Sequence, residues 1–192
     1  VFQRSQLAYH EAARRISGDV LEIGTGAGYG VEIVAPHASS FLTLDKIEPA
    51  GERPPFPHVE MRQAVVPPLD LPSGSFDFVI SFQVIEHIKH DMELVREVHR
   101  VLRPGGRLLV LEFSQIWKPL APFYDFYSFQ VIPRVGKLVT NDSDSYRYLS
   151  ESIRVHPGQE ELKAMMEGVG LEKVEYFNMA MGVVALHRGY KF

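Results

Sequence analysis

The chain predicts an α/β domain built on a mostly parallel sheet, closed at its C-terminal end by an antiparallel hairpin. Three observations carry that reading. Apolar runs short enough for strands alternate with stretches of helical spacing. A glycine-rich segment over residues 24–30 joins the first of those strands to a helix. The last two apolar runs, 171–177 and 182–187, lie too close together for a helical crossover and must pair antiparallel.

Taken in order, a first helix is expected over residues 5–16 and a strand over 20–24, followed by a helix that ends near Pro36. A second strand covers 41–45. A proline-rich connection, 49–57, leads to a short strand at 59–63. Residues 76–82 form a nearly continuous apolar run, of the kind a parallel sheet buries on both faces. The helix 91–102 places Met92, Val95, Val98 and Leu102 on one side, with Asp91 as its N-cap. Pro104-Gly105-Gly106 stops it, and 107–112 is the next buried strand. From 114 to 148 the period is lost and aromatics crowd together. Pro157 opens a further helix that carries Leu162, Met165, Met166 and Val169, with Gly168 or Gly170 closing it.

Composition sets bounds on function. A chain of 192 residues suits a single domain, 1–192, with a full-sized core. Hydrophobic residues make up 45% and charged residues 23%, an ordinary globular balance. The net charge of −4 and the lack of a basic run argue against a nucleic-acid partner. With no cysteine, disulfides, thiolate metal sites and cysteine nucleophiles are excluded, and no metal site is expected. No stretch approaches the roughly 18 apolar residues that span a bilayer. Residues 1–5 lack a secretory pattern, so a cytoplasmic location is expected.

The segment Val20-Leu21-Glu22-Ile23-Gly24-Thr25-Gly26-Ala27-Gly28-Tyr29-Gly30 carries the chemistry. Its glycines permit a sharp turn and a close approach of backbone to ligand, and the helix after it would offer unpaired N–H groups. A dinucleotide site wants glycine where Tyr29 stands. The G-x-G-x-G spacing, with Glu22 two residues before it, instead resembles motif I of the class I S-adenosylmethionine-dependent methyltransferases, a Rossmann-like fold. That resemblance implies S-adenosylmethionine as cofactor. Gly24, Thr25, Gly26, Ala27 and Gly28 would take its carboxylate, and Glu22 would orient the loop or the amino end of the methionine moiety. Asp45 lies 21 residues after Gly24, at the end of the second strand, where a carboxylate can accept both ribose hydroxyls. Lys46 stands beside it. The adenine contact falls at Ala64 and Val65, where methyltransferases usually place Asp or Asn. Here backbone, or the Gln63 amide, must substitute. Ser81 and Phe82, ending the strand 76–82, complete the expected cofactor set.

Two further resemblances divide the chain into a cofactor half, about 1–99, and a substrate half, about 100–192. Leu71-Pro72-Ser73-Gly74-Ser75-Phe76-Asp77 through Phe82, with Val84-Ile85-Glu86-His87-Ile88, resembles the generic type 11 small-molecule methyltransferases. Arg100-Val101-Leu102-Arg103-Pro104-Gly105-Gly106-Arg107 through Ser114 is similar to a signature of the ubiquinone/menaquinone biosynthesis C-methyltransferases, with Arg103 in place of Lys. The likeness continues through Tyr124–Phe129, Asn141–Leu149, Glu151–Arg154 and His156-Pro157 to Gly182–Phe192. The quinone family's upstream Tyr-Asp-x-Met-Asn signature is absent, and its Arg-Asn pair is replaced by Ile85-Glu86-His87. The change of pattern near residues 101–106 motivates recombination between two methyltransferases as a hypothesis.

The second resemblance implies methylation at a ring carbon of a demethylated quinol, a small-molecule or lipid substrate. Loss of a phenolic proton would push electron density onto the ring, and a nearby base would help. Glu86 and His87 follow a central strand at the edge where open α/β sheets bind ligands, and His87 titrates near neutrality. Tyr146 and Arg147 would orient the ring oxygens, and His156 would cap a helix. The aromatics from Trp117 to Phe129 suit either a core or a polyprenyl tail with peripheral membrane contact. Three other readings stand beside this one: a type 11 enzyme acting on another hydroxylated small molecule, a hybrid that binds the cofactor without catalysis, and a nicotinamide dehydrogenase, which Tyr29 opposes.

Overall fold

A computed structural model describes residues 2–48, 54–114, 157–179 and 182–192. Its elements are α1 (Phe2–Ala13), β1 (Asp19–Ile23), α2 (Val31–Val34), β2 (Ser40–Asp45), β3 (Val59–Gln63), β4 (Phe76–Phe82), α3 (Asp91–Val101), β5 (Leu102–Phe113), α4 (Gln159–Gly168), β6 (Glu172–Met179) and β7 (Val184–Tyr190). They build a seven-stranded sheet in the order β3-β2-β1-β4-β5-β7-β6. The first five strands pair in parallel, and β7 runs antiparallel to both β5 and β6. This is the expected α/β architecture with its C-terminal hairpin.

The central strands are buried on both faces because each side is covered. Leu21, Ile23, Val79, Leu108 and Val110 meet Val95, Val98 and Val101 of α3 and Leu162 and Met166 of α4. Their alternates Val20, Phe41, Phe78, Ile80, Leu109 and Leu111 face Ala8 and Ala12 of α1 and Val31 and Val34 of α2. One-residue alternation therefore assigns each side chain to one of two cores, which locks the register. Ile23 pairs with Leu44 on one side and Ser81 on the other, so β1, β2 and β4 end level. The chain leaves β1 for β2 on one side and later returns to β4 on the other. That reversal opens a crevice at the carboxyl ends of the strands.

Several boundaries differ from those expected, each for a physical reason. Helix α1 starts and ends three residues early. Helix α2 is a single turn followed by a 3₁₀ turn at Ala35–His37, since Pro36 has no N–H with which to extend an α-helical ladder. The N-cap of α3 is His90, and Asp91 sits inside the first turn with its carboxylate accepting from the Met92 N–H at 2.6 Å. The buried stripe of α3 is Leu94, Val95, Val98 and Val101, with Met92 half-buried.

Strand β5 begins at Leu102, five residues earlier than expected, and runs through Pro104-Gly105-Gly106. Pairing jumps from Phe76–Leu102 to Phe78–Arg107, so the extra residues bulge out. Lys191 secures them by exchanging backbone hydrogen bonds with Gly105 and Gly106 at 2.6 and 3.0 Å. At the end of α4, Leu171 N–H bonds to Met166 O and Gly170 N–H to Glu167 O, the pattern that closes a helix on a left-handed Gly170. Tyr146, Arg147, His156 and the aromatics of 117–129 lie outside the described residues.

Candidate active site

The crevice at the strand ends is a cavity of about 830 Å³, within the range of small-molecule sites. The first loop supplies Gly24, Thr25, Gly26 and Ala27, β2 supplies Asp45 and Lys46, and the segment after β3 supplies Ala64 and Val65. Phe82, Glu86 and His87 follow from β4 and its exit. Eleven of the expected site residues thus line one space. Glu22, Gly28 and Ser81 do not line it. Glu22 is buried beneath the loop, and Ser81 is buried within β4.

The loop turns on glycines whose geometry excludes other residues. Gly24 has φ of +84°, and a Cβ there would lie 2.1 Å from Val84 Cγ2. Gly26, at φ of +55°, has no atom within 4 Å of a Cβ position, so its backbone faces open space. The ligand donors expected from a helix N-terminus are corrected by the structure. With α2 only one turn long, the N–H groups of Gly28 and Val31 bond instead to the carbonyls of Thr25 and Gly28.

Asp45 is fixed before any ligand arrives. Its Oδ2 accepts the Gly26 N–H at 2.7 Å and its Oδ1 the Ile47 N–H at 3.0 Å. Each oxygen keeps a second lone pair for a ligand hydroxyl. At the next strand, Ala64 N–H donates to Asp45 O at 2.7 Å and Gln63 Nε2 to Lys46 O at 3.0 Å. Both bonds use N–H groups, whereas the contact expected for the adenine amino group is an acceptor, and Val65 stands 79% exposed at the cavity edge.

Sequence reasoning missed two residues of this region. Tyr9 of α1 lines the cavity and donates its hydroxyl to Glu22 Oε1 at 2.7 Å. Its ring packs edge-on against Phe82, with centroids 4.9 Å apart. Burial pushes the Glu22 carboxyl up to about 7, against the Tyr9 and Thr25 hydroxyls that pull it down, and its Oε2 has no partner. No spacing rule ties Tyr9 to Glu22. The second is Glu112, fully buried near the end of β5, where the only sequence signal was an acidic residue inside an apolar run. Its Oε1 accepts the Val84 and Ile85 N–H groups at 3.0 and 2.8 Å, and burial raises its carboxyl to about 8.

The Glu86 side chain is 2% exposed, and its Oε1 lies 3.3 Å from His87 Nε2. Burial raises Glu86 to about 7, whereas burial and then the Lys46 charge lower His87. With Glu86 raised to about 7 and the His87 imidazole lowered, the pair is not a fixed ion pair, and Glu86 can take up or release a proton near neutrality. Among the residues lining the cavity, Thr25 Oγ1 and Glu86 Oε2 are buried polar atoms without a hydrogen bond in the protein. Such atoms are expected to bind a polar ligand. Among the described residues no group of acidic or histidine side chains is arranged to hold a metal ion.

Comparison with known proteins places this geometry. The sequence pattern described as the ubiE/COQ5 methyltransferase family matches residues 42–191. The match begins in β2 and so takes in β3, β4 and α3 as well as the second half. The ubiquinone/menaquinone biosynthesis C-methyltransferase UbiE of Enterobacter sp. (strain 638) is 54% identical over 136 residues, 70% of this chain and 54% of the relative. The protein of the same description from Nitrosospira multiformis is 54% identical over 134 residues, 70% of this chain and 55% of the relative. The chain thus spans about half the length of these relatives.

Solved structures agree on the fold at low identity. The YcgJ protein of Bacillus subtilis superposes with a TM-score of 0.65 at 15% identity, covering 97% of this chain and 98% of that one. An S-adenosylmethionine-dependent methyltransferase from Mesorhizobium loti gives 0.66 at 18%, covering 94% and 96%. The fold is that of the class I methyltransferases, and by the extent of the sequence match the chain belongs to the ubiE/COQ5 methyltransferase family.

Proposed function

We propose that the cavity binds S-adenosylmethionine and that the chain methylates a ring carbon of a demethylated quinol, as the names of its relatives describe for them. The observation that carries the reading is one crevice in which a glycine turn, a prearranged Asp45 and the Glu86–His87 pair converge. The residues suit the cofactor. Gly26 leaves room at the backbone, Asp45 offers two oriented oxygens to a sugar, the Thr25 hydroxyl offers a contact at the methionine end, and Glu22 supports the loop from beneath. Bound there, the sulfonium supplies an electrophilic methyl carbon.

The chain's own contribution is alignment, exclusion of water and proton handling. Phe82 and Phe113 give the acceptor end an apolar wall. Glu86, held near neutrality by burial, takes the hydroxyl proton of the acceptor, and His87, exposed at the rim, passes it toward solvent. Tyr146 and Arg147 orient the ring oxygens in this reading, and the aromatics of 117–129 receive a prenyl tail at a membrane surface. Among the described residues no helix is long and apolar enough to cross a membrane.

Incubation with methyl-labelled S-adenosylmethionine and a demethylated quinol kept reduced tests the proposal, and label in the quinol is the expected result. Label only in another hydroxylated small molecule would support a type 11 activity. Tight binding of S-adenosylhomocysteine with no transfer to any acceptor would mean a binding protein.

A further inference from the structure

We propose that Glu112 is the positioning residue of the acceptor site, fixing the turn that carries Glu86 and His87 into the cavity and sharing one proton with Glu86. The inference rests on the reading of Glu86 as proton acceptor, and it begins from Glu112 itself. A side chain with no exposed surface stands near the carboxyl end of β5, among Leu111 and Phe113. One oxygen holds the backbone N–H groups of Val84 and Ile85, the two residues just before Glu86. These bonds add to the backbone bond from Gln83 N–H to Leu111 O at 2.7 Å, so β5 holds the exit of β4 through both its main chain and the Glu112 side chain.

The turn needs such an anchor. It leaves β4 through Gln83, at φ of +59°, and closes a single 3₁₀ turn over Ile85–His87. Without a fixed start, the Glu86 side chain would not be directed at the cavity. The second oxygen of Glu112 and that of Glu86 are both buried without partners. Two carboxyls in one dry region cannot both ionise cheaply, so they hold a proton between them. Glu86 then starts each cycle near neutrality. When a hydroxyl O–H of the acceptor breaks, its electron pair stays on oxygen and the proton goes to the Glu86 carboxylate. The other charged groups around this space are Asp45 and Lys46 at the end of β2 and Lys89 and His90 before α3, together with His87 on the turn itself.

The test reads the coupling without any substrate. The 192-residue chain is prepared with carboxyl-¹³C glutamate and titrated by NMR. In Glu86→Gln, which removes the neighbouring charge that raises Glu112, the Glu112 midpoint falls by about one pH unit. Glu112→Gln keeps an oxygen for the two N–H groups and is neutral, as Glu112 is while Glu86 titrates, so the Glu86 midpoint stays where burial sets it. Amide exchange at Val84 and Ile85 quickens at least tenfold in Glu112→Ala and returns to the parent rate in Glu112→Gln. In the methyl-transfer assay, Glu112→Ala lowers kcat and Glu112→Gln restores it with the acid limb unmoved, while S-adenosylhomocysteine affinity stays unchanged. A Glu112 midpoint that does not move in Glu86→Gln, or amides indifferent to Glu112→Ala, overturn the proposal. Absence of transfer to the quinol would sink the functional reading alone, since the NMR result does not depend on it.

Discussion

Placing a methyl group at Gly24 and at Gly26 gives two different outcomes, and the structure says why. Both glycines have positive φ, so alanine costs about 1–2 kcal/mol of backbone strain at either position. At Gly24 the new Cβ also lands 2.1 Å from Val84 Cγ2 and 3.0 Å from Cγ1. Val84 cannot simply withdraw, because its N–H is held by Glu112. Forcing the overlap costs about another 1–3 kcal/mol, so Gly24→Ala loses roughly 2–5 kcal/mol in all. For a chain of this length the unfolding midpoint falls by about 5–12 °C.

At Gly26 nothing lies within 4 Å, so stability drops only by the strain, about 2–5 °C. Its methyl group instead occupies the cavity wall, and S-adenosylhomocysteine binding weakens by about tenfold or more, or about 1.4 kcal/mol. Differential scanning calorimetry and isothermal titration of the two variants separate these effects. Equal losses of stability, or an unimpaired affinity in Gly26→Ala, would refute the loop geometry.

Three more outcomes follow from the same site. Asp45→Ala removes a carboxylate whose hydrogen bonds to hydroxyls are worth about 1.5–3 kcal/mol each, so titration calorimetry should show at least a tenfold loss of S-adenosylhomocysteine affinity. Glu22 has its carboxyl raised in the fold from 4.5 to about 7, so the folded state binds the extra proton. Its contribution, on the order of 3 kcal/mol, is present below pH 4.5 and lost as pH rises through 7. Urea midpoints without ligand should therefore fall between pH 5 and pH 8, and Glu22→Gln should reduce that slope, leaving the share of Glu86 and Glu112, whose carboxyls are raised in the same direction. The base reading of Glu86, raised to about 7, requires kcat to rise with pH through neutrality. Glu86→Gln should cut kcat by about 100-fold with little change in cofactor affinity, and a parent kcat flat from pH 6 to 8 would contradict it.

Where apolar patterning and tertiary burial agree, the chain was legible. β3 and β4 have the expected bounds: β3 follows the proline-rich connection directly, and β4 is an apolar run buried on both faces. Boundaries failed where a distant partner decided them. Pro104-Gly105-Gly106 reads as a breaker, but Lys191 pairs with both glycines from the far end of the chain and turns the segment into a bulge. The end of α2 near Pro36 was by contrast legible, since proline stops the ladder locally. The cofactor residues were readable because a glycine turn and a strand-end aspartate obey local rules. Tyr9 and Glu112 were not, since each reaches the site from an element whose position only the folded sheet defines. The expected helix N–H donors failed together with the length of α2.

The account stands on one pocket at the carboxyl ends of β1, β2 and β4, and calorimetric titration of the folded chain with S-adenosylhomocysteine tests it most directly. Saturable binding with one site per chain, weakened at least tenfold by Asp45→Ala in a variant that melts like the parent, is the predicted result. A folded chain that gives no binding heat at any temperature tried, and no shift in melting with excess ligand, would contradict it.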